Sequence, residues 1–260
     1  MEKNNFERIL EVIDTLTGPN GCPWDKEQTP RTMCDYLIEE CFELVEAIRQ
    51  DDKAEIAEEL GDVLFLLLFI GRCHDRELPG FLQSALGGNV AKMIRRHPHV
   101  YGEKAVDVDE VVRNWEKIKK AEKAEKDKDP GVFASLPASL PPLLRAYRIN
   151  SKAARAGFTW AADADQEVKL AEEWNELQTA LAGDDEAARE EEFGDYLFSL
   201  VEYGRRRGIK ANSALAVANA KFLRRFEAME ELASKRGLEL DKLSLTEMDR
   251  LWDEIKAERS

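Results

Sequence analysis

Histidine is almost missing from this chain, with 3 in 260 residues against 52 Asp and Glu. The His- and Cys-rich chemistry of a zinc centre has little to work with here. The 4 cysteines, Cys22, Cys34, Cys41 and Cys73, lie in the first third without Cys-x-x-Cys spacing. No secretory leader points to an oxidising compartment, so they read as reduced packing residues. His97 and His99, separated by Pro98 in RRHPHVYG, read as a structured turn. Basic residues are in deficit as well: 38 Lys and Arg leave a formal charge of −14. That balance argues against stable binding to a nucleic-acid backbone, whose affinity comes chiefly from cations on phosphates. Long apolar runs are also absent. The longest, VLFLLLFIG at 63–71, is flanked by Asp62 and Arg72. It falls short of the roughly 20 residues of a membrane span and reads as a buried helix. The amino-terminal MEKNNFERILEVIDTL is amphipathic, carries acids and has no small-residue cleavage site, so neither a signal nor a transit peptide is expected and a cytoplasmic location is. No Gly-x-x-x-x-Gly-Lys-[Ser/Thr] loop occurs, nor any Glu-x-x-His of the carboxylate-bridged di-iron bundles.

Apolar residues recur at three and four positions throughout, with no strand-like alternation long enough for a sheet, so the expected fold is all-α. Leu170, Trp174, Leu177 and Leu181 illustrate the pattern, forming one helical stripe whose opposite side should carry acids. The texture changes near KKAEKAEKDKDPGVFASLPASLPP, where charge gives way to closely spaced prolines. The expected organisation is a repeat over 1–125, a Pro-rich linker over 126–142 and a second repeat over 143–260.

Internal repetition supports that division. EECFELVEAIRQDDKAEIAEELGD at 39–62 and EEWNELQTALAGDDEAAREEEFGD at 172–195 share 12 identities in 24 ungapped positions. Glu39, Glu40, Glu43, Glu59 and Asp62 align with Glu172, Glu173, Glu176, Glu192 and Asp195. The paired aspartates Asp51-Asp52 and Asp184-Asp185 also align, where a turn is needed. Within each copy the acids fall in pairs one helical turn apart, so each pair shares a face. If the chain reverses at Gly183-Asp184-Asp185, Glu176 lies about 12 Å before the turn and Glu192 about 10 Å after it. An antiparallel hairpin therefore brings the pairs to one level. Two carboxylates near 4 Å repel by about 4 kcal/mol at an effective dielectric of 20, so protonation or a cation must relieve them. The candidate ligands are all oxygens, which selects a hard cation, Mg²⁺ or Mn²⁺. There are more carboxylates than one Mg²⁺ ordinarily takes, which suggests more than one ion and a phosphate-bearing substrate.

The pattern E-E-x-x-E, fifteen residues, E-x-x-D resembles the MazG family of nucleoside triphosphate pyrophosphohydrolases, here present twice as in two-repeat bacterial members. GCPWD at 21–25 and RRHPHVYG at 95–102 extend the resemblance over nearly the whole chain. It implies helical bundles completed by homodimerisation and Mg²⁺-dependent cleavage of a nucleoside triphosphate such as ATP to the monophosphate and pyrophosphate. It also implies Glu173, Glu176, Glu192 and Asp195 as metal ligands, with Glu172 as a neighbouring ligand or water-activating base. The first-copy counterparts are Glu40, Glu43, Glu59, Asp62 and Glu39.

Cations suited to phosphate recur in the same order. Lys92, Arg95 and Arg96 match Lys221, Arg224 and Arg225 in a K-x-x-R-R pattern, and Arg can grip phosphate oxygens bidentately. Trp115 and Lys119 match Trp252 and Lys256 in W-x-x-I-K, a plane for a stacked base beside a cation. Surface charge and core tryptophan are the plain alternatives, against which the recurrence weighs. Gly-x-x-Trp recurs too, at Gly21–Trp24 and Gly157–Trp160, and suits a turn leading into a helix. The copies differ in their extra cations: Lys169 and Arg189 stand where the first copy has Tyr36 and Ile56. These additions favour the second copy as the main catalytic unit, with Glu172 or Glu173 orienting the attacking water. Two other readings remain open from the residues, a nucleotide-binding regulator without turnover and a structural helix-bundle adaptor.

Overall fold

The computed structural model of the chain describes residues 4–102, 118, 122 and 131–258. These residues are helical, with no strand among them. The chain divides into two compact units, Met1–Asp127 and Lys128–Ser260.

The first unit begins with α1 (Asn5–Leu16), opened by a capping box in which the Asn4 side chain accepts from the Glu7 amide at 2.9 Å and Glu7 returns the bond to the Asn4 amide. The chain leaves α1 so tightly that a Cβ at Gly21 would lie 2.1 Å from the Leu16 carbonyl oxygen. A short α2 (Pro23–Glu27) with proline in its first turn precedes α3 (Met33–Gln50) and α4 (Lys53–Glu77). Asp51, at φ 57, ends α3, and Asp52 starts α4 by accepting from the amides of Ala54 and Glu55. The aspartate pair is thus a stop followed by a start. Then follow α5 (Phe81–Arg96) and α6 (Pro98–Tyr101), with His97 between them donating from Nδ1 to the Met93 carbonyl. Gly71 permits the close approach of α5, since a Cβ there would meet Leu82 Cδ1 at 2.7 Å.

Burial in this unit centres on Ile13, Met33, Leu66, Leu68, Phe69, Cys73 and Leu82. The apolar run at 63–71 is therefore a core helix, although Leu64 and Leu67 remain exposed. Arg72 bridges Asp14 on α1 and Asp75 on α4. Asp75 also accepts from the Leu82 amide, which pulls its carboxyl below the usual range and caps α5.

The second unit comprises α7 (Pro142–Arg155), α8 (Asp163–Ala182), α9 (Glu186–Arg206), α10 (Ala211–Lys235), a 3₁₀ turn at Leu240–Lys242 and α11 (Leu245–Glu258). Residues ahead of α7 are fastened to it: Lys152 donates to the Val132 carbonyl and Ser135 hydroxyl, and Arg145 to the Ala138 carbonyl. Gly157, at φ 95, closes α7, and the Phe158 amide returns to the Ala153 carbonyl. The expected helix-opening turn is here a helix exit, because only glycine takes that backbone without strain. Asp185 opens α9 as Asp52 opens α4, accepting from Ala187 and Ala188.

Helix α9 packs against α7 and α8. Buried polar groups cross these contacts: Gln166 donates to the Ser199 carbonyl at 3.2 Å and Asn150 to the Phe198 carbonyl at 3.5 Å. Helices α10 and α11 bury a cluster of Met229, Ala233, Leu251 and Ile255.

Candidate metal centre

Each hairpin seam is built from one register. On α3 the side chains turned toward α4 are Met33, Leu37, Glu40, Leu44 and Ala47, at alternating steps of four and three. The aligned set on α8 is Gln166, Leu170, Glu173, Leu177 and Ala180. A carboxylate therefore occupies the middle of an otherwise core-like seam in both copies. This corrects the expected stripe. Leu177 is 3% exposed, but Trp174 and Leu181 are 47% and 53% exposed, while Glu173 is only 7% exposed. The acid and the leucine share the inward face because the hairpin partner, rather than hydrophobicity alone, selects which side is covered.

On the returning helices Glu59 and Glu192 face these acids. Carboxylate oxygens of Glu40, Glu43 and Glu59 lie within 4.8 Å of one another, as do those of Glu173, Glu192 and Asp195. The remaining aligned acids stand beside these groups, since Asp62 acts electrostatically on Glu40 and Glu59, and Glu176 on Glu192. The sequence-derived quartets are thus brought together in both units, with a different trio closest in each. Glu39 and Glu172 are exposed at the rim.

The two clusters handle their charge differently. In the first, burial, then the charge of Glu43 and a hydrogen bond to Glu59, raise the Glu40 carboxyl from 4.5 to about 7. A protonated Glu40 donates to Glu59, whose own carboxyl burial also pushes up. Glu59 Oε2 is buried and has no hydrogen-bond partner. An all-oxygen trio with an orphaned oxygen and a retained proton fits a hard divalent cation, which would replace the proton and satisfy that oxygen. In the second cluster Lys169 supplies the counter-charge. Its Nζ lies 3.0 Å from Glu173, 3.7 Å from Glu172 and 3.7 Å from Glu176. Burial raises the Glu192 carboxyl, helped by Glu176, Asp195 and Glu173. An open depression lined by Asn175, Glu176, Thr179, Ala180 and Glu192 adjoins the cluster.

The two extra cations both have partners within the second unit. Lys169 lies over the acids, and Arg189 donates from Nη2 to the Gly183 carbonyl at the end of α8, with Nε buried and unpartnered. Arg189 takes the seam position of Ile56, so its guanidinium satisfies a helix terminus instead of reaching outward. The K-x-x-R-R cations differ between units as well. Arg95 and Arg96 clasp Glu122 at 2.5 and 2.6 Å, which holds its carboxyl down at about 2. Arg224 and Arg225 have no ion-pair partner among the described residues, and Lys221 is exposed. Lys92 is partly buried on α5.

Trp252 is half-buried in the α10–α11 cluster, with its ring 5.1 Å from that of Phe222, and Lys256 pairs with Asp253. These contacts lie on α10 and α11, which carry none of the four carboxylates. Trp115 and Lys119 lie outside the described residues. Two positions escaped attention in the sequence. Gly61 and Gly194 sit inside helices with nothing within 4 Å of where a Cβ would be, directly before Asp62 and Asp195. Their shared place before the aspartate in both copies was the available signal.

The family model described as the MazG nucleotide pyrophosphohydrolase domain matches residues 28–101, which contain the first cluster. A nucleoside triphosphate pyrophosphohydrolase of Escherichia coli (strain K12) is 37% identical over 257 residues, covering 97% of each chain. A nucleoside triphosphate pyrophosphohydrolase/pyrophosphatase MazG of Thermotoga maritima is 38% identical over 252 residues, covering 96% of this chain and 95% of the other. An uncharacterised Bacillus subtilis protein, YabN, is 41% identical over 97% of this chain and 52% of its own. With similarity running end to end through both hairpins, the chain belongs to the MazG nucleotide pyrophosphohydrolase family.

Proposed function

We propose that the chain hydrolyses nucleoside triphosphates to the monophosphate and pyrophosphate with Mg²⁺ or Mn²⁺, and that the second unit is the main catalytic one. The observation that carries this reading is the pair of hairpins, each drawing three carboxylates of the shared pattern within 4.8 Å. The names of the Escherichia coli and Thermotoga maritima relatives support the reaction class.

In the second unit Glu173, Glu192 and Asp195, with Glu176 beside them, would hold the cation. When bound, it supplies neutralisation of phosphate oxygens and a more acidic water. Glu172, exposed beside the buried Glu173, would orient that water and accept its proton. Lys221, Arg224 and Arg225 are the charges available to a departing pyrophosphate, and the lack of an ion-pair partner for the two arginines among the described residues favours this unit. In the first unit Glu122 already occupies Arg95 and Arg96, which favours a cation-holding or regulatory role there. Large side chains left exposed on the hairpins, among them Ile38, Phe42, Leu60 and Leu64 in one unit and Trp174, Leu181 and Phe193 in the other, support a homodimer that covers them.

The test is to incubate the protein with mixed nucleoside triphosphates and Mg²⁺ and to measure pyrophosphate. Release of pyrophosphate, lost in Glu173→Ala and retained in Glu40→Ala, is expected. Free phosphate without pyrophosphate overturns the reaction. Loss in Glu40→Ala alone reverses the assignment of units.

A further inference from the structure

The single position that distinguishes the two clusters most is the one a helical turn before the seam acid, Tyr36 in the first copy and Lys169 in the second. Tyr36 meets the Trp24 ring edge-on at 5.7 Å. Lys169 instead pairs with the acids. Its ammonium lies within 3.7 Å of three carboxylates and nearest to Glu173, the most buried acid of the group. A tethered ammonium needs no capture from solution, so it offsets the charge of these acids before any metal binds.

We propose that Lys169 is a built-in counter-ion that a divalent cation must displace, so that the second cluster binds the free cation more weakly than the first and fills together with the nucleotide. This rests on the reading of both clusters as cation sites. The physical argument is competition for the same oxygens. An ammonium and a divalent cation cannot both sit near 3 Å from Glu173, and the repulsion between them adds to the cost. Among the described residues the first cluster has no Lys or Arg on its carboxylates to evict. Phosphate oxygens arriving with the cation give the displaced ammonium new partners, because Lys is a mobile point charge on a flexible stem. The first unit can therefore hold a cation without a nucleotide, whereas the second becomes fully loaded only when both arrive.

Titration of the full-length protein with Mn²⁺, following the EPR signal of the free ion and without nucleotide, tests this. The wild type should show two classes of site, the tighter one lost in Glu59→Gln and the weaker one in Glu192→Gln. Lys169→Met should tighten the weaker class by about tenfold, the effect of removing one charge near 4 Å in largely screened surroundings. Tyr36→Lys should weaken the tighter class. If Lys169→Met leaves the class that Glu192→Gln abolishes unchanged, the counter-ion role is refuted while the cation sites stand. If neither Glu59→Gln nor Glu192→Gln changes Mn²⁺ binding, or the wild type binds none, the cation-site reading falls and takes this proposal with it.

Discussion

Removing the charge at Glu40 should stabilise the metal-free protein above neutral pH. Burial and the neighbouring acids raise this carboxyl from 4.5 to about 7. A raised acid is fully accommodated below its unfolded value, near 4.5, and its contribution is lost as pH rises through about 7. Each tenfold change in proton affinity corresponds to about 1.4 kcal/mol, so a perfectly shielded Glu40 would cost about 3 kcal/mol once ionised. Glu40 is only partly covered, and screening by water reduces this to about 1–2 kcal/mol. The assay is urea unfolding in EDTA at pH 5 and pH 8 for the wild type and Glu40→Gln. The wild type should lose about 1–2 kcal/mol more than the variant between the two conditions. Parallel pH slopes for the two proteins would refute the argument, because they would show that Glu40 does not carry the strain of the cluster.

Three other outcomes follow from the described geometry. Asp185→Ala removes the acceptor for the Ala187 and Ala188 amides and should cost about 1 kcal/mol in thermal or urea unfolding. Phe69→Ala, at a fully buried position, should cost about 3–5 kcal/mol and expose the first unit to proteolysis before the second. Glu122→Gln removes the carboxylate that Arg95 and Arg96 clasp. The Glu122 carboxyl is depressed to about 2, so its contribution is present above about 4.5 and fades as pH falls through about 2. The variant should therefore be less stable than the wild type at pH 7 by about 1–2 kcal/mol, with the gap narrowing in acid unfolding.

Much of the site could be read from the chain because its information is local. Asp52 and Asp185 mark turns by the side-chain chemistry of a helix start, and acid pairs one turn apart share a face wherever the helix lies. The reversal between Ala182 and Glu186 is where the aspartate pair places it. What could not be read depends on what the helix meets. Trp174 and Glu173 are neighbours in sequence, and periodicity favours the tryptophan as the buried one. The hairpin inverts them, because α9 brings Glu192 and Asp195 to the other side of Glu173. The partners of the long cations were hidden for a related reason. Lys169 and Arg189 have stems that reach inward or outward with equal ease, and only the positions of Glu173 and the Gly183 carbonyl decide between them. Trp252 similarly has its surroundings set by Phe222 on α10, which its own sequence neighbourhood does not reveal.

The aspartates that begin α4 and α9 act as fixed origins for everything downstream on those helices. Adding one residue between Asp185 and Glu192 would rotate the following side chains by about 100°. Glu192 and Asp195 would then swing off the seam together while the helix itself survived. A single inserted residue could thus erase the cluster without unfolding the hairpin, whereas the exposed acids such as Glu186 and Glu190 can be exchanged freely. What evolution must keep constant here is a count of residues from a cap, more than any surrounding sequence.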